Sequence, residues 1–327
     1  MRANFPIRMT RLLVAALALM GAGGMTGSPA WSQQRVNVVA TTSMLADAVR
    51  AVGGTRVDVA SLLGEGVDPH TYRPTRTDIA RLASADLVVA NGLHLEAQLD
   101  DTLKSLARTK PVLFAADRVP TERLLKDPDY PDRSDPHVWM DPKLWRFAVE
   151  AVRDALIQRD AAGKQAYENG AQAYIAELTR LDDYIRKIVT TIPEKGRILV
   201  TAHDAFSYFG RAYGFEVEGI QGVSTESEAG LKRMEALVTL VATRGIRAAF
   251  FESSVPDRNV RALVEGAGAR GHKLSVGGEL FSDALGAPGT YEGTLLGMLD
   301  HNATTVARAL GGTAPGRGMA GKLKTGG

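Results

Sequence analysis

Residues 160–192, DAAGKQAYENGAQAYIAELTRLDDYIRKIVTTI, constrain the fold more than any other stretch of the chain. Tyr167, Ala171, Tyr174, Leu178, Leu181, Ile185 and Ile188 recur at alternating steps of four and three, which puts them on one face of an α-helix. Lys164, Glu168, Glu177, Arg180, Asp182, Asp183, Arg186 and Lys187 fall on the other faces, as a solvated surface requires. Asp160 is placed to cap the start, and Pro193 stands just past the end. About thirty helical residues make a rod of roughly 45 Å, wider than a small domain. Such a rod either runs through one large domain or ties two lobes together, and the similar halves on either side favour the second.

Those halves alternate strand-length apolar runs with amphipathic segments. Strands are expected at 36–40, 57–63, 86–90 and 111–114, then at 197–201, 216–220, 248–251 and 273–276. Helices are expected between them at 44–52, 77–83, 95–107 and 144–158, then at 205–213, 226–243, 258–265 and 292–309. Thr225 with Glu228 reads as a capping box, and Thr75 with Asp78 as a weaker one. Strands alternating with helices predict right-handed βαβ units and parallel sheets covered on both faces. The fold class is therefore α/β, two four-stranded (β/α)4 lobes joined by one rigid helix.

The first 32 residues read as a signal peptide. Arg2, Arg8 and Arg11 precede the apolar run 12–20, and Ala30-Trp31-Ser32 supplies a small-x-small cleavage pattern. The run is too short and glycine-rich for a good membrane span. The boundaries that follow are a signal peptide at 1–32, an N-terminal lobe at 33–159, a connecting helix at 160–192, a C-terminal lobe at 193–310 and a disordered tail at 311–327. The chain has no cysteine, which leaves no site for a lipid-bearing cysteine or a disulfide. A soluble, monomeric periplasmic protein freed near Ser32 is expected. Removing the three arginines of the leader takes the formal charge from +2 to about −1, so no basic nucleic-acid surface is indicated.

Ligands of open parallel sheets bind beyond the carboxyl ends of the strands. His70, in GEGVDPHTYRPT, follows the second strand, and His137 ends a second Asp-Pro-His before the helix at 144–158. His203, in TAHDAF, follows the first strand of the second half, and Asp283, in GGELFSDALG, follows the last. Three imidazoles and a carboxylate suit a first-row divalent metal. The preceding proline stiffens the loops of His70 and His137, and Asp68 and Asp135 are placed to orient those loops or rings. His94, His272 and His301 are read as structural. Asp204 is expected to turn away as a helix cap, a role that Asp283 also has open to it.

The segments VVATTSMLADAV, DPHTYRPT, DPHVWMDP, TAHDAFSYFGRAYG, GIQGVSTESEAG, FFESSVP, LFSDALG and YEGTLLGMLDHN, in this order, resemble the family 9 solute-binding proteins of ABC transporters. That resemblance implies two (β/α)4 lobes around a rigid helix, with a manganese, zinc or iron ion in the cleft as cargo. It places the metal ligands at His70, His137, His203 and Asp283, and implies an ABC permease and its ATPase as partners. His203 stands where members resembling dedicated manganese binders often carry Glu, and nitrogen-rich sites favour zinc. The short, histidine-free stretch LLKDPDYPDRS before Asp135 and the LFSDALG segment point instead to the manganese/zinc subgroup. Manganese as the cargo in the cell, with tight zinc binding in vitro, is the expectation. The alternatives are a zinc-dependent hydrolase using Glu65 or Glu226 as base, which lacks an HExxH motif, and a metal-binding adhesin, which lacks a visible anchor.

Overall fold

The structure is a computed structural model and describes residues 35–324. The signal peptide expected at residues 1–32 lies outside the described residues. The first half runs β1 (Val36–Ala40), α1 (Ser43–Gly53), β2 (Val57–Ser61), α2 (Arg76–Ser84), β3 (Leu87–Ala90), α3 (Asp100–Leu106), β4 (Val112–Phe114) and α4 (Pro142–Arg159). The long helix α5 (Lys164–Val189) follows. The second half runs β5 (Ile198–His203), α6 (Ser207–Tyr213), β6 (Glu216–Gln221), α7 (Leu231–Arg244), β7 (Ala248–Glu252), α8 (Arg258–Ala269), β8 (Ser275–Leu280) and α9 (Leu295–Ala309).

Each half folds its strands into one parallel four-stranded sheet, ordered β2-β1-β3-β4 in the first and β6-β5-β7-β8 in the second. The identical order makes the halves topological repeats. Alternate residues of a strand face opposite sides of its sheet, so in β1 Val38 joins the inner core while Val39 joins an outer one. Outer cores lie under α2 and α3 in one lobe and under α7 and α8 in the other. The inner core is continuous between the lobes. It holds Met44 and Val49 of α1, Trp145 of α4, Leu178 and Ile185 of α5, and Leu299 and Val306 of α9.

α5 therefore runs through a shared core rather than across open solvent. Its buried residues are the expected stripe, Tyr167, Ala171, Tyr174, Leu178, Leu181, Ile185 and Ile188, joined by Asp182 and Val189. Asp182 does not belong to the solvated face: it is buried and bonded to Arg186, Lys143 and the Tyr213 hydroxyl. The helix has 26 residues, about 39 Å at 1.5 Å each. Asp160 does not cap it, because that carboxylate is engaged by Arg56 and the Tyr167 hydroxyl at 2.8 and 2.7 Å.

Three more expectations need correction. Thr75 and Asp78 do form a capping box, but Thr225 and Glu228 do not. α7 starts only at Leu231, since the Thr225 hydroxyl turns to Asp68 of the other lobe and Glu228 pairs with Arg258. The helix expected from residue 95 starts at Asp100, because Glu96 points inward. The tail expected to be disordered from residue 311 is ordered through residue 324: Met319 donates its N–H to buried Asp300, and Leu323 is 3% exposed. Leu323, Met319 packed on the inner core, and a buried carboxylate in need of donors hold a segment whose composition alone looks unstructured.

Gly170 sits where α5 meets α1. A Cβ there would lie 2.5 Å from the Val52 carbonyl oxygen, so the glycine allows close helix approach rather than bending. Gly170→Ala is expected to lower stability by about 1–3 kcal/mol in urea unfolding, outweighing the ~1 kcal/mol that alanine gains in a helix interior. A more stable variant would show that the two helices are not in close contact.

Candidate metal centre

The parallel sheets point the carboxyl ends of their strands toward one cleft, and His70, His137, His203 and Asp283 meet there. His203 is the last residue of β5. His70 comes from the loop after β2, His137 from the turn before α4, and Asp283 from the loop after β8. Among the described residues they form the one group of three or more His, Cys, Asp or Glu whose ligand atoms all lie within 4.8 Å of one another. His137 and His203 are 0% exposed, and His70 and Asp283 are 2% exposed.

The spacing within the group is that of a coordination shell. His137 Nε2 lies 3.3 Å from His70 Nε2 and 3.4 Å from His203 Nε2. Asp283 oxygens lie 3.2 Å from His203 Nε2, 3.4 Å from His137 Nε2 and 3.7 Å from His70 Nε2. A tetrahedral shell with metal–ligand bonds of about 2.0–2.1 Å has edges of about 3.3–3.4 Å. Both Asp283 oxygens are fully buried without a hydrogen bond of acceptable geometry. A buried carboxylate left in that state is costly unless a cation meets it.

Two of the rings are held from behind by carboxylates. Asp135 Oδ1 accepts from the backbone N–H of His137 at 2.9 Å and from its Nδ1 at 2.7 Å. Glu252, the last residue of β7, does the same for His203: Oε1 accepts from the backbone N–H at 2.8 Å and Oε2 from Nδ1 at 2.5 Å. Each grip fixes the tautomer and turns Nε2 toward the cage. Asp68 Oδ1 holds only the backbone N–H of His70, at 2.8 Å. Trp139 closes one wall, its ring against His137 and its Nε1–H donated to the Ser282 carbonyl at 2.9 Å.

Sequence reasoning named the four cage residues, and Asp68 and Asp135 as their supports, but missed Glu252 within FFESSVP. The available signal was an acid ending a run that is otherwise wholly apolar, AAFFE, at the carboxyl end of a buried strand. The other histidines have separate partners: His94 faces Asp100 at 3.3 Å, His272 the Ile246 carbonyl at 2.6 Å, and His301 the Glu279 carbonyl at 3.0 Å. Asp204 turns away to accept from the Ser207 hydroxyl at 2.7 Å, while Phe206 takes the cap position of α6. Glu65 and Glu226 are exposed, and Glu226 accepts from Gln98 at 2.8 Å. An open groove of about 700 Å³ between Asp129 and Gln221 lies at the lobe boundary, but none of the four cage residues lines it.

The electrostatics follow from this packing. Burial, with His137 and His203 as neighbours, lowers the pKa of His70 to about 3 against the pull of Asp283. Burial also opposes charge on His137, but Asp135 and Asp283 outweigh it and push the pKa up to about 9. In His203 burial is likewise overcome, by Glu252 and Asp283, and the pKa rises well above the ordinary value. Asp283 is held well below the usual carboxylate range, as His203 and His137 outweigh its burial.

A divalent cation entering the cage at neutral pH must therefore expel protons from His137 and His203, while His70 is already neutral. Affinity should keep rising with pH up to about 9 instead of levelling off above the free-histidine pKa of about 6.5. Calorimetry in buffers of different ionisation enthalpy should show about two protons released per metal near pH 7.5. Release of no protons would mean that the rings are neutral before binding. Glu252→Gln removes the charge and turns one of the two accepting oxygens into a donor, and should weaken metal binding by about 10–100-fold at a cost in stability of about 1–3 kcal/mol. Unchanged affinity in a competition titration would remove Glu252 from the site.

Comparison with known proteins shows the family and the fold. The profile of ZnuA, zinc-uptake complex component A, periplasmic, matches residues 38–309. The manganese-binding lipoprotein MntA of Bacillus subtilis is 42% identical over 302 residues, 92% of this chain and 98% of that protein. The zinc-binding protein TroA of Treponema pallidum is 45% identical over 275 residues, 84% of this chain and 88% of that protein. The solved structure of TroA superposes with a TM-score of 0.82 at 44% identity, covering 84% of this chain and 99% of that one. The metal ABC transporter substrate-binding lipoprotein SloC of Streptococcus mutans is 27% identical over 309 residues, 93% of this chain and 99% of that protein. With the two-lobed fold, the buried cage and a family match over most of its length, the chain belongs to the ZnuA family.

Proposed function

We propose that this chain captures one divalent transition metal, manganese or zinc, between its lobes and hands it to an ABC permease. His70, His137, His203 and Asp283 are the ligands in this reading, and the ion is cargo rather than a resident cofactor. The observation that carries it is the buried cage: three imidazole nitrogens and one carboxylate, all within 4.8 Å of one another, with the Asp283 oxygens facing the three rings. The relatives named for manganese and for zinc frame the choice of metal. Three imidazoles bind zinc more tightly than manganese on affinity alone, so zinc is expected to win in vitro and metal supply to decide the cargo in the cell.

The family is one of binding proteins, and the geometry agrees. A catalytic zinc keeps an open position beside a general base. Here four side chains enclose the site, and the two glutamates considered as bases are exposed. The adhesin alternative has no observation in its favour.

The family profile is described as periplasmic, and among the described residues no helix is long and apolar enough to cross a membrane. Two of the relatives are named as lipoproteins, whereas this sequence contains no cysteine to carry a lipid. The proposed life history is export, cleavage near Ser32, and work as a free monomer beside the permease and its ATPase. The proposed division places the N-terminal lobe at 33–159, the connecting helix at 160–192 and the C-terminal lobe at 193–310.

Metal analysis of the purified protein, with manganese and zinc competition titrations, tests the reading. One metal per chain is expected, and His70→Ala and His203→Ala should each weaken binding at least about tenfold. A hundredfold excess of metal over its dissociation constant should also stabilise the parent fold by about 2.7 kcal/mol. Unchanged metal content in both variants would sink the site assignment.

A further inference from the structure

Two side chains of α9 hold the segment that carries Asp283, one on each side of it. Asn302, 1% exposed, accepts the Phe281 N–H at 2.9 Å and donates to the Phe281 carbonyl at 2.7 Å. Asp300, 0% exposed, accepts the Tyr291 hydroxyl at 3.2 Å. The Gly286 N–H donates to the Glu292 carbonyl at 2.9 Å and closes the far part of the segment. Asp283 lies between these anchors.

The residues after α9 lock the second anchor. Thr313 donates its N–H to the Thr191 hydroxyl, just past the end of α5, at 2.7 Å. The Met319 N–H reaches both Asp300 oxygens, at 3.0 and 2.8 Å. The Lys324 N–H then donates to Glu292 Oε1 at 3.1 Å. Gly318 has φ +69°, and a Cβ there would lie 2.5 Å from both Asp300 oxygens, so the close approach requires glycine. This stretch lies beyond residue 309, where the match to the family profile ends.

We propose that residues 313–324 are a positioning strap for Asp283. The strap ties Asp300 and Glu292 to the end of α5, and through them it limits the excursions of the loop that presents the carboxylate to the cage. A ligand is only as well placed as the groups that hold its loop, and weakening outer support of a metal site costs affinity. The inference rests on the reading of the cage as a metal site.

Two variants test it, Gly318→Ala and a chain ending at Met319. The first pushes the strap off Asp300. The second keeps the Met319 bond but removes the Ala320 bond to Asp300, Leu323 and the bond from Lys324 to Glu292, and it places the new terminal carboxylate near Asp300. The readouts are zinc release to a chelator in stopped flow, the visible absorption of the cobalt(II) form, and the melting temperature of the metal-free protein. Zinc release about tenfold faster and an altered cobalt(II) spectrum are expected in both. A lower melting temperature with unchanged release and spectrum would overturn the proposal, since a brace of the fold alone behaves that way. If Gly318→Ala does not fold, the shortened chain decides by the same readouts. If the parent takes up no metal, the metal-site reading fails and the strap falls with it.

Discussion

The structure depends on the enclosure of three imidazoles and a carboxylate within a few ångströms of one another, away from water. Ionised groups buried in this way are tolerated only when each charge is met by another. Asp135 and Glu252 meet that need by the same device, one carboxylate gripping both the backbone and the ring of a single histidine. One grip comes from each lobe, so neither half assembles the site alone. Asp283 is left with its oxygens facing inward and nothing but the rings around them. The cage is thus a preformed arrangement in which three ring nitrogens and the Asp283 carboxylate are gathered within 4.8 Å of one another.

The lobes are registered against each other by bonds at the edge of this cage. Trp139 of the first half reaches the Ser282 carbonyl in the second, beside Asp283. Tyr208 of α6 donates to the Asp135 carbonyl at 2.8 Å and accepts the Leu125 N–H at 3.0 Å. The Thr225 hydroxyl meets Asp68 at 2.5 Å, on the residue that holds the His70 amide. The bonds from Trp139, from Tyr208 to Asp135 and from Thr225 each end within two residues of a cage member, or on the group that supports one. A shift of one lobe would therefore be felt directly as a change in ligand spacing.

Most of the fold was legible because its strands are short apolar runs and its helices carry regular stripes. The stripe of α5 and the parallel sheets came from periodicity alone. The cage residues could be found because the loops after β2 and before α4 repeat Asp-Pro-His and the other two ligands follow strand ends. What escaped were features set by partners distant in sequence. Thr225 serves a carboxylate 157 residues away and not the helix it precedes. Glu252 is marked in sequence only as an acid closing an apolar run, and its partner His203 is visible only once β5 is known to lie beside β7. The tail reads as glycine-rich and basic, and its order is explained by the buried Asp300 together with the apolar contacts of Met319 and Leu323.

The two halves share a strand order, yet they do not own separate interiors. The apolar stripe of α5 is covered by α1 and α4 from one half and by α9 from the other, and the packing between them is unbroken. A fragment containing either sheet with α5 would expose a strip of leucine, isoleucine and tyrosine side chains to water. The repeated topology therefore does not imply modules that can be expressed, swapped or inherited singly. Denaturation of this chain should appear as one cooperative event, with loss of the cage and melting of both sheets reported by the same curve.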